Sequence, residues 1–496
     1  MTSPELQPTS GEAAAVPSNG AAPQPAGASP SRQGLWTRWM RRDQRSRRVL
    51  LAAFIYLVCA GVYATIAGRD RLIQHTAFNH YALLADAWLH GRQDLGGPPP
   101  LYTQNNDFAE HNGKTYISFP PLPAMLMLPF VKLAGSPENF RDGQFVIWLA
   151  GLSPAFLFFA LEKLRRTGRS PRTETENLVL AFLYAFGSVY FFTAVEGTVW
   201  FAAMVVAAAA VALYLLAALD AEHPMLAGAM MACVYLSRPS AIWMSLLFAL
   251  EAIRVSLRRP LPRGGSWRER LSATPGSVDW GVLARRYAAF AAPIVAALAF
   301  VAWTNWSRYG RATPVYFDHE FLAVAWRTRM LKWGLLGYHY LAKNLGIALT
   351  SLPWLPARGD PGSFGGVPFK INEHGLALWF TTPLYLWLLW PKRLGEDPDR
   401  KWLYVVVAVS AALPALMDLL YQNSGWRQFG YRFSNDYAAL LFVLLAIGAR
   451  PMRALFAAAA AWSCAWNLFG AITFDRAQFD RFYFRDGSQT IVYQPD

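Results

Sequence analysis

Residues 197–219 read GTVWFAAMVVAAAAVALYLLAAL and carry no charged side chain. As one helix they would be about 35 Å long, enough to cross the hydrocarbon core of a bilayer. Uncharged runs of similar length lie at 49–67, 143–161, 177–195, 287–307 and 454–474. Shorter runs at 375–391, 402–417 and 437–449 reach spanning length with their flanking residues. The stretch 224–250 is uncharged except for Arg238 and is too long for one helix. Ser237-Arg238-Pro239-Ser240 breaks it into two short spans. The expected fold is an all-α polytopic membrane protein with about eleven transmembrane helices.

Composition agrees. Of 496 residues, 54% are hydrophobic, 15% aromatic and 16% charged, against about 25% charged in soluble proteins. Mean hydropathy is +0.19. The aromatic content excludes intrinsic disorder for most of the chain. Cys59, Cys233 and Cys464 all sit in apolar runs, which excludes a disulfide scaffold. The net charge of +14 would fit either nucleic-acid binding or the basic inner loops of a membrane protein.

Loop positions decide between the two. With the N-terminus cytoplasmic, the inner loops are 162–176, 220–224, 256–286, 392–401 and 450–453. Arg38, Arg41, Arg42, Arg45, Arg47 and Arg48 precede the first span. Lys163, Arg165, Arg166, Arg169 and Arg172 fill the first inner loop, and seven arginines fill 256–286. Every clearly basic short loop falls on one side, so no nucleic-acid partner is expected. The domain reading is a disordered basic tail (1–48), a transmembrane module (49–304) containing a first outer loop (68–140), a second outer loop (305–373), C-terminal spans (374–472) and an outer tail (473–496). The first span reads as an uncleaved anchor.

Seven of the eight histidines lie in or beside the two outer loops. In 75–91, Tyr81, Leu84, Ala85, Trp88 and Leu89 have the spacing of one apolar helix face. His75, Asn79, Asp86 and His90 share the opposite side, so the helix is expected to lie in the membrane interface. A second interfacial helix is expected over the Pro-punctuated run 119–134.

This layout resembles the C-type glycosyltransferase superfamily, in particular relatives of protein O-mannosyltransferases and lipid A aminoarabinose transferases. The residues that carry the resemblance are HYALLADAWLHG (80–91), Gly113-Lys114, Tyr116, Pro120-Pro121-Leu122-Pro123, Leu236-Ser237-Arg238-Pro239 and Phe429-Gly430-Tyr431-Arg432-Phe433. The resemblance implies transfer of a sugar from a polyprenyl-phosphate carrier to a hydroxyl on a lipid, glycan or protein. It implies inversion at the anomeric carbon, on the outer side of a bacterial inner membrane, with an acid early in the first outer loop. No acid occupies 72–85 here, so Asp70, Asp86, Asp94 and Asp107 are the nearest.

The chemistry needs a carboxylate or His to take the acceptor proton and cations to hold the lipid phosphate. Asp86 is the first choice of base and Asp107 the second, with His80 and His90 as assistants. Arg432, Arg427, Arg238 and Lys114 are the phosphate-binding choices. Asp318-His319-Glu320 supplies ligand types for a divalent cation, but consecutive residues rarely all face one ion, and no metal ligand is assigned. The alternatives are a catalytically inactive assembly protein on the same fold, or a lipid-linked substrate transporter, which would line the bundle with charge.

Overall fold

The computed structural model describes residues 44–104, 107–258, 275–324, 326–358, 362, 364–391, 394 and 397–484. Residues 1–43 of the expected tail 1–48, the centre of the loop 256–286 and the end of the expected tail 473–496 lie outside the described residues, while 44–48 begin the helix Gln44–Ile73. The chain divides into two units, Met1–Arg48 and Val49–Asp496. The second carries the helical bundle and the candidate site.

Among the described residues, six helices are long and apolar enough to cross a membrane: Gln44–Ile73, Asp142–Arg166, Val199–Ala221, Trp280–Tyr309, Pro398–Leu419 and Ala454–Thr473. Within Val199–Ala221, 83% of the most apolar stretch is buried, against 28% in Gln44–Ile73 and 22% in Trp280–Tyr309. The uncharged run 197–219 is therefore the central helix, and its alanines let neighbours approach closely. Pro224–Tyr235 packs along Trp280–Tyr309 in the same way. A Cβ on Gly228 would lie 2.0 Å from the Phe290 carbonyl oxygen. Gly228→Ala is expected to cost about 1–3 kcal/mol by forcing these helices apart, read as a lower unfolding temperature in detergent.

The other apolar runs are helical but shorter than a span. Thr173 and Glu176 form a capping box that starts Glu174–Phe186. That helix stops at Gly187, where Ser188 Oγ donates to the Tyr184 carbonyl, and Tyr190–Ala194 follows. The break in 224–250 falls where expected, with Pro224–Tyr235 and Ser245–Val255 separated by a 3-10 turn at Pro239–Met244. Run 375–391 yields only Leu378–Thr381 and a 3-10 stretch from Pro383 to Leu389, because Pro383 cannot continue the helix. Ala438–Gly448 is 11 residues long.

Part of the basic loop 162–176 is interior. Lys163, Arg169 and Arg172 are buried. Lys163 donates to the carbonyls of Leu216 and Leu219 and pairs with Glu222 at 2.6 Å. Arg169 pairs with Asp220 and Glu251, and Arg254 pairs with the same two acids. These charges fasten helix ends together as well as marking one face.

The all-α expectation needs correction at two places. Phe108–His111 and Lys114–Ile117 form an antiparallel hairpin. Asn112 and Gly113 turn it with φ of 51° and 71°, the positive values that a tight hairpin turn demands. Ile371–Asn372 and Tyr483–Phe484 form a short parallel pair. The hairpin sits between the two expected loop helices, which form as His80–Leu89 and Leu122–Ala134. In the first, His80, Ala82, Leu83 and Ala87 are buried along with Tyr81, Leu84 and Ala85 of the expected apolar face, while Asp86 and His90 stay partly exposed. His75 and Asn79 precede it. The loop 305–373 packs on the hairpin through an Ala109–Leu322 bridge and through Tyr309 and Phe317.

Candidate functional site

Asp107 stands at the base of the hairpin with φ of 62°. Its backbone oxygen accepts from Ser118 Oγ at 2.6 Å. Trp200 Nε1 donates to Asp107 Oδ2 at 2.9 Å. Trp200 is at the start of the central helix and is held by Phe78 and Phe119, with ring centroids at 4.7 and 6.5 Å. The acid is thus fixed from two sides, while among the described residues its Oδ1 has no partner. Desolvation raises the Asp107 pKa; the Trp200 hydrogen bond and the charge of Arg432 act against it.

Arg432 comes from the turn that follows Gly430. Its backbone N–H donates to Gln428 Oε1 at 2.7 Å, and the residue is 5% exposed. The guanidinium lies 4.9 Å from the Phe201 ring centroid and 5.7 Å from that of Phe433. Phe201 follows Trp200 on the central helix, so consecutive residues there support Asp107 and Arg432. Among the described residues the Arg432 side chain makes no hydrogen bond or ion pair, and its Nε is buried without a partner. Burial, and then the charge of Arg238, lower its pKa. Asp107 and Asp436 act on it through their charge, but among the described residues no carboxylate contacts it directly, a costly state for a buried cation.

Arg238 is in the opposite state. Its Nε donates to both Asp436 oxygens at 2.9 Å, and its Nη2 to Oδ2 at 2.7 Å. Asp418 lies 3.7 Å away and accepts from Ser240 Oγ at 3.3 Å. The Arg238 guanidinium lies over Phe433 at 5.1 Å, the ring that Arg432 also faces. The helix break at 236–238 therefore clamps the segment Arg432–Asp436 and sets the position of Arg432. The Leu122 amide donates to the Leu236 carbonyl at 2.9 Å, which joins the roof helix Leu122–Ala134 to the same break.

The remaining sequence-derived residues stand elsewhere. Asp86 faces His90 at 3.5 Å on a partly exposed helix side. Lys114 is largely exposed and pairs with Asp94 at 3.1 Å. Arg427 pairs with Glu373 at 3.0 Å and Asp475 at 2.9 Å. His80 is buried, stacked on Phe108 at 4.5 Å and edge-on to Phe119 at 5.4 Å. Asp318 accepts from Tyr309 Oη at 2.6 Å, and Glu320 pairs with Arg311 at 2.8 Å, so the two acids point to different partners. No group of three metal-ligating side chains occurs among the described residues. Sequence alone does not single out Trp200 or Asp436. A Trp at the end of an apolar run reads as an interfacial anchor, and nothing local pairs Asp436 with a residue 198 positions away.

No family model and no curated protein matches the sequence. Among solved structures, the chain is similar to the Archaeoglobus fulgidus oligosaccharyltransferase in its apo form, with TM-score 0.43 and 13% identity over 88% of this chain and 56% of that one. It is also similar to the same protein tethered through a disulfide to an acceptor peptide containing the NVT sequon, with TM-score 0.42 and 15% identity over 85% and 55% of the two chains. The chain spans little more than half the length of the protein it matches.

Proposed function

We propose that this protein is an integral-membrane glycosyltransferase that takes a sugar from a polyprenyl-phosphate carrier and passes it to a hydroxyl acceptor. The observation that carries the proposal is the buried Arg432 guanidinium, which makes no hydrogen bond or ion pair among the described residues and acts through its charge on Asp107, itself held at one carboxylate oxygen by Trp200. A phosphate supplies the direct partner that Arg432 lacks among the described residues, and Arg binds phosphate oxygens with a planar fork. Asp107 Oδ1 takes the acceptor proton as the acceptor oxygen attacks the anomeric carbon from the opposite face. The bond from that carbon to the phosphate oxygen breaks, its electron pair stays on the lipid phosphate, and Arg432 holds the charge that develops. The configuration inverts. The short and broken helices complete about eleven crossings, with the N-terminus in the cytoplasm and the site facing outward from a bacterial inner membrane. The basic residues collected on one side support that orientation.

The test is turnover of polyprenyl-phosphate sugars by the purified protein. Arg432→Gln is expected to raise the donor KM and lower kcat, costing at least about tenfold in kcat/KM, the loss expected for one charge-assisted contact of about 1.5–3 kcal/mol. Lys114→Ala, at an exposed pair, is expected to stay within about twofold. Donor binding without turnover in the wild type would favour the inactive assembly protein.

A further inference from the structure

Away from Asp107 and Arg432, a cavity of about 530 Å³ opens where Gln44–Ile73, Leu122–Ala134 and Asp142–Ala150 meet. One end is apolar, lined by Tyr56, Phe145, Trp148, Leu149 and Leu152. The other end is polar, lined by Asn139, Arg141 and Gln144. From Gln144 to Leu152 the helical path runs about 12 Å. Beside its apolar residues the chain comes against the first helix: a Cβ on Gly151 would be 3.0 Å from Tyr56 Cδ2. Phe130 borders the cavity and packs against Phe145 with ring centroids at 5.1 Å.

Two further facts place this cavity at a membrane boundary. Leu126, Phe130 and Leu133 are 39%, 47% and 84% exposed. Their i, i+4, i+7 spacing puts them on one face of Leu122–Ala134, and Trp148 adds to it at 44%. Arg141 at the mouth is exposed and makes no ion pair among the described residues. An apolar slot with an unpaired cation at its mouth is complementary to an amphiphile with an anionic head.

We infer that this cavity is a binding site for one anionic phospholipid, its phosphate on Arg141 and one acyl chain along Trp148 toward Leu152. The site depends on the membrane reading but not on glycosyl transfer, since it contains no residue of the Asp107–Arg432 cluster. It would seat the roof helix against the bilayer and leave the donor phosphate to Arg432.

The test uses the full-length protein in nanodiscs made with phosphatidylglycerol or phosphatidylcholine, with bound lipid counted by native mass spectrometry. Wild type is expected to retain phosphatidylglycerol with a preference of about fivefold, the size of one basic residue's attraction to an anionic lipid. Arg141→Ala is expected to abolish the preference at unchanged unfolding temperature, and Arg141→Lys to keep it. No preference in wild type, or one that survives Arg141→Ala, overturns the proposal. If Arg141→Ala does not fold, chain-brominated phosphatidylglycerol replaces the mass measurement. It should quench wild type more than Trp148→Phe, and equal quenching overturns the site. Loss of donor turnover with the lipid preference intact bears only on the proposed enzymatic function.

Discussion

Asp107→Asn is expected to lower sugar transfer by about 10²–10⁴-fold, the usual worth of a positioned general base. The amide has nearly the same shape and keeps an acceptor for Trp200, so donor binding should survive. That split between lost kcat and retained donor affinity separates a base from a structural acid. The pH profile gives a second readout. A base works deprotonated, so activity rises as pH rises through its pKa. Desolvation raises the Asp107 pKa, so this limb should lie above the ordinary carboxylate value of about 3.9. Trp200→Phe removes the hydrogen bond that acts to lower it and should move the limb further up, with the plateau largely kept. A limb unmoved by Trp200→Phe, or full activity in Asp107→Asn with loss in Asp86→Asn, would return the base to Asp86.

The second large effect is structural. Arg238→Ala leaves Asp436 and Asp418 facing each other with 1% and 3% of their side chains exposed. Removing one partner of a buried ion pair typically costs about 3–5 kcal/mol. The variant is expected to unfold at a markedly lower temperature in detergent. Asp436→Ala should cost less, because Asp418 remains within 3.7 Å of Arg238. The double variant should be less unstable than the sum of the two. Additive losses would mean that the pair is not coupled. Arg238→Lys keeps the charge but loses the fork on Asp436 and should fall between wild type and Arg238→Ala.

Periodicity and charge are informative where structure is local. The 197–219 run forms the most buried of the six long helices, and Ser237-Arg238-Pro239 breaks its helix as expected. Asn112-Gly113 is a strong hairpin signal, but it lies in a loop whose length and apolar runs point to helices. Gly187-Ser188 ends a helix inside an apolar run, a stop that the unbroken uncharged length of 177–195 masks. Asp107, Arg432 and Arg238 are legible as residues. Their arrangement is not, because it depends on Trp200 reaching 93 positions back and Asp436 reaching 198. Arg427 and Lys114 look equivalent to Arg432 in sequence. The acids that pair with them distinguish them in three dimensions.

The hydrogen bond from the Leu122 amide to the Leu236 carbonyl makes that single proton a reporter. Deuterium replaces an amide proton only when its bond opens. The Leu122 amide can exchange only when the roof parts from the turn that carries Arg238. Its exchange rate therefore times the separation of Leu122–Ala134 from that turn, and a ligand that holds the two together would slow it without touching it.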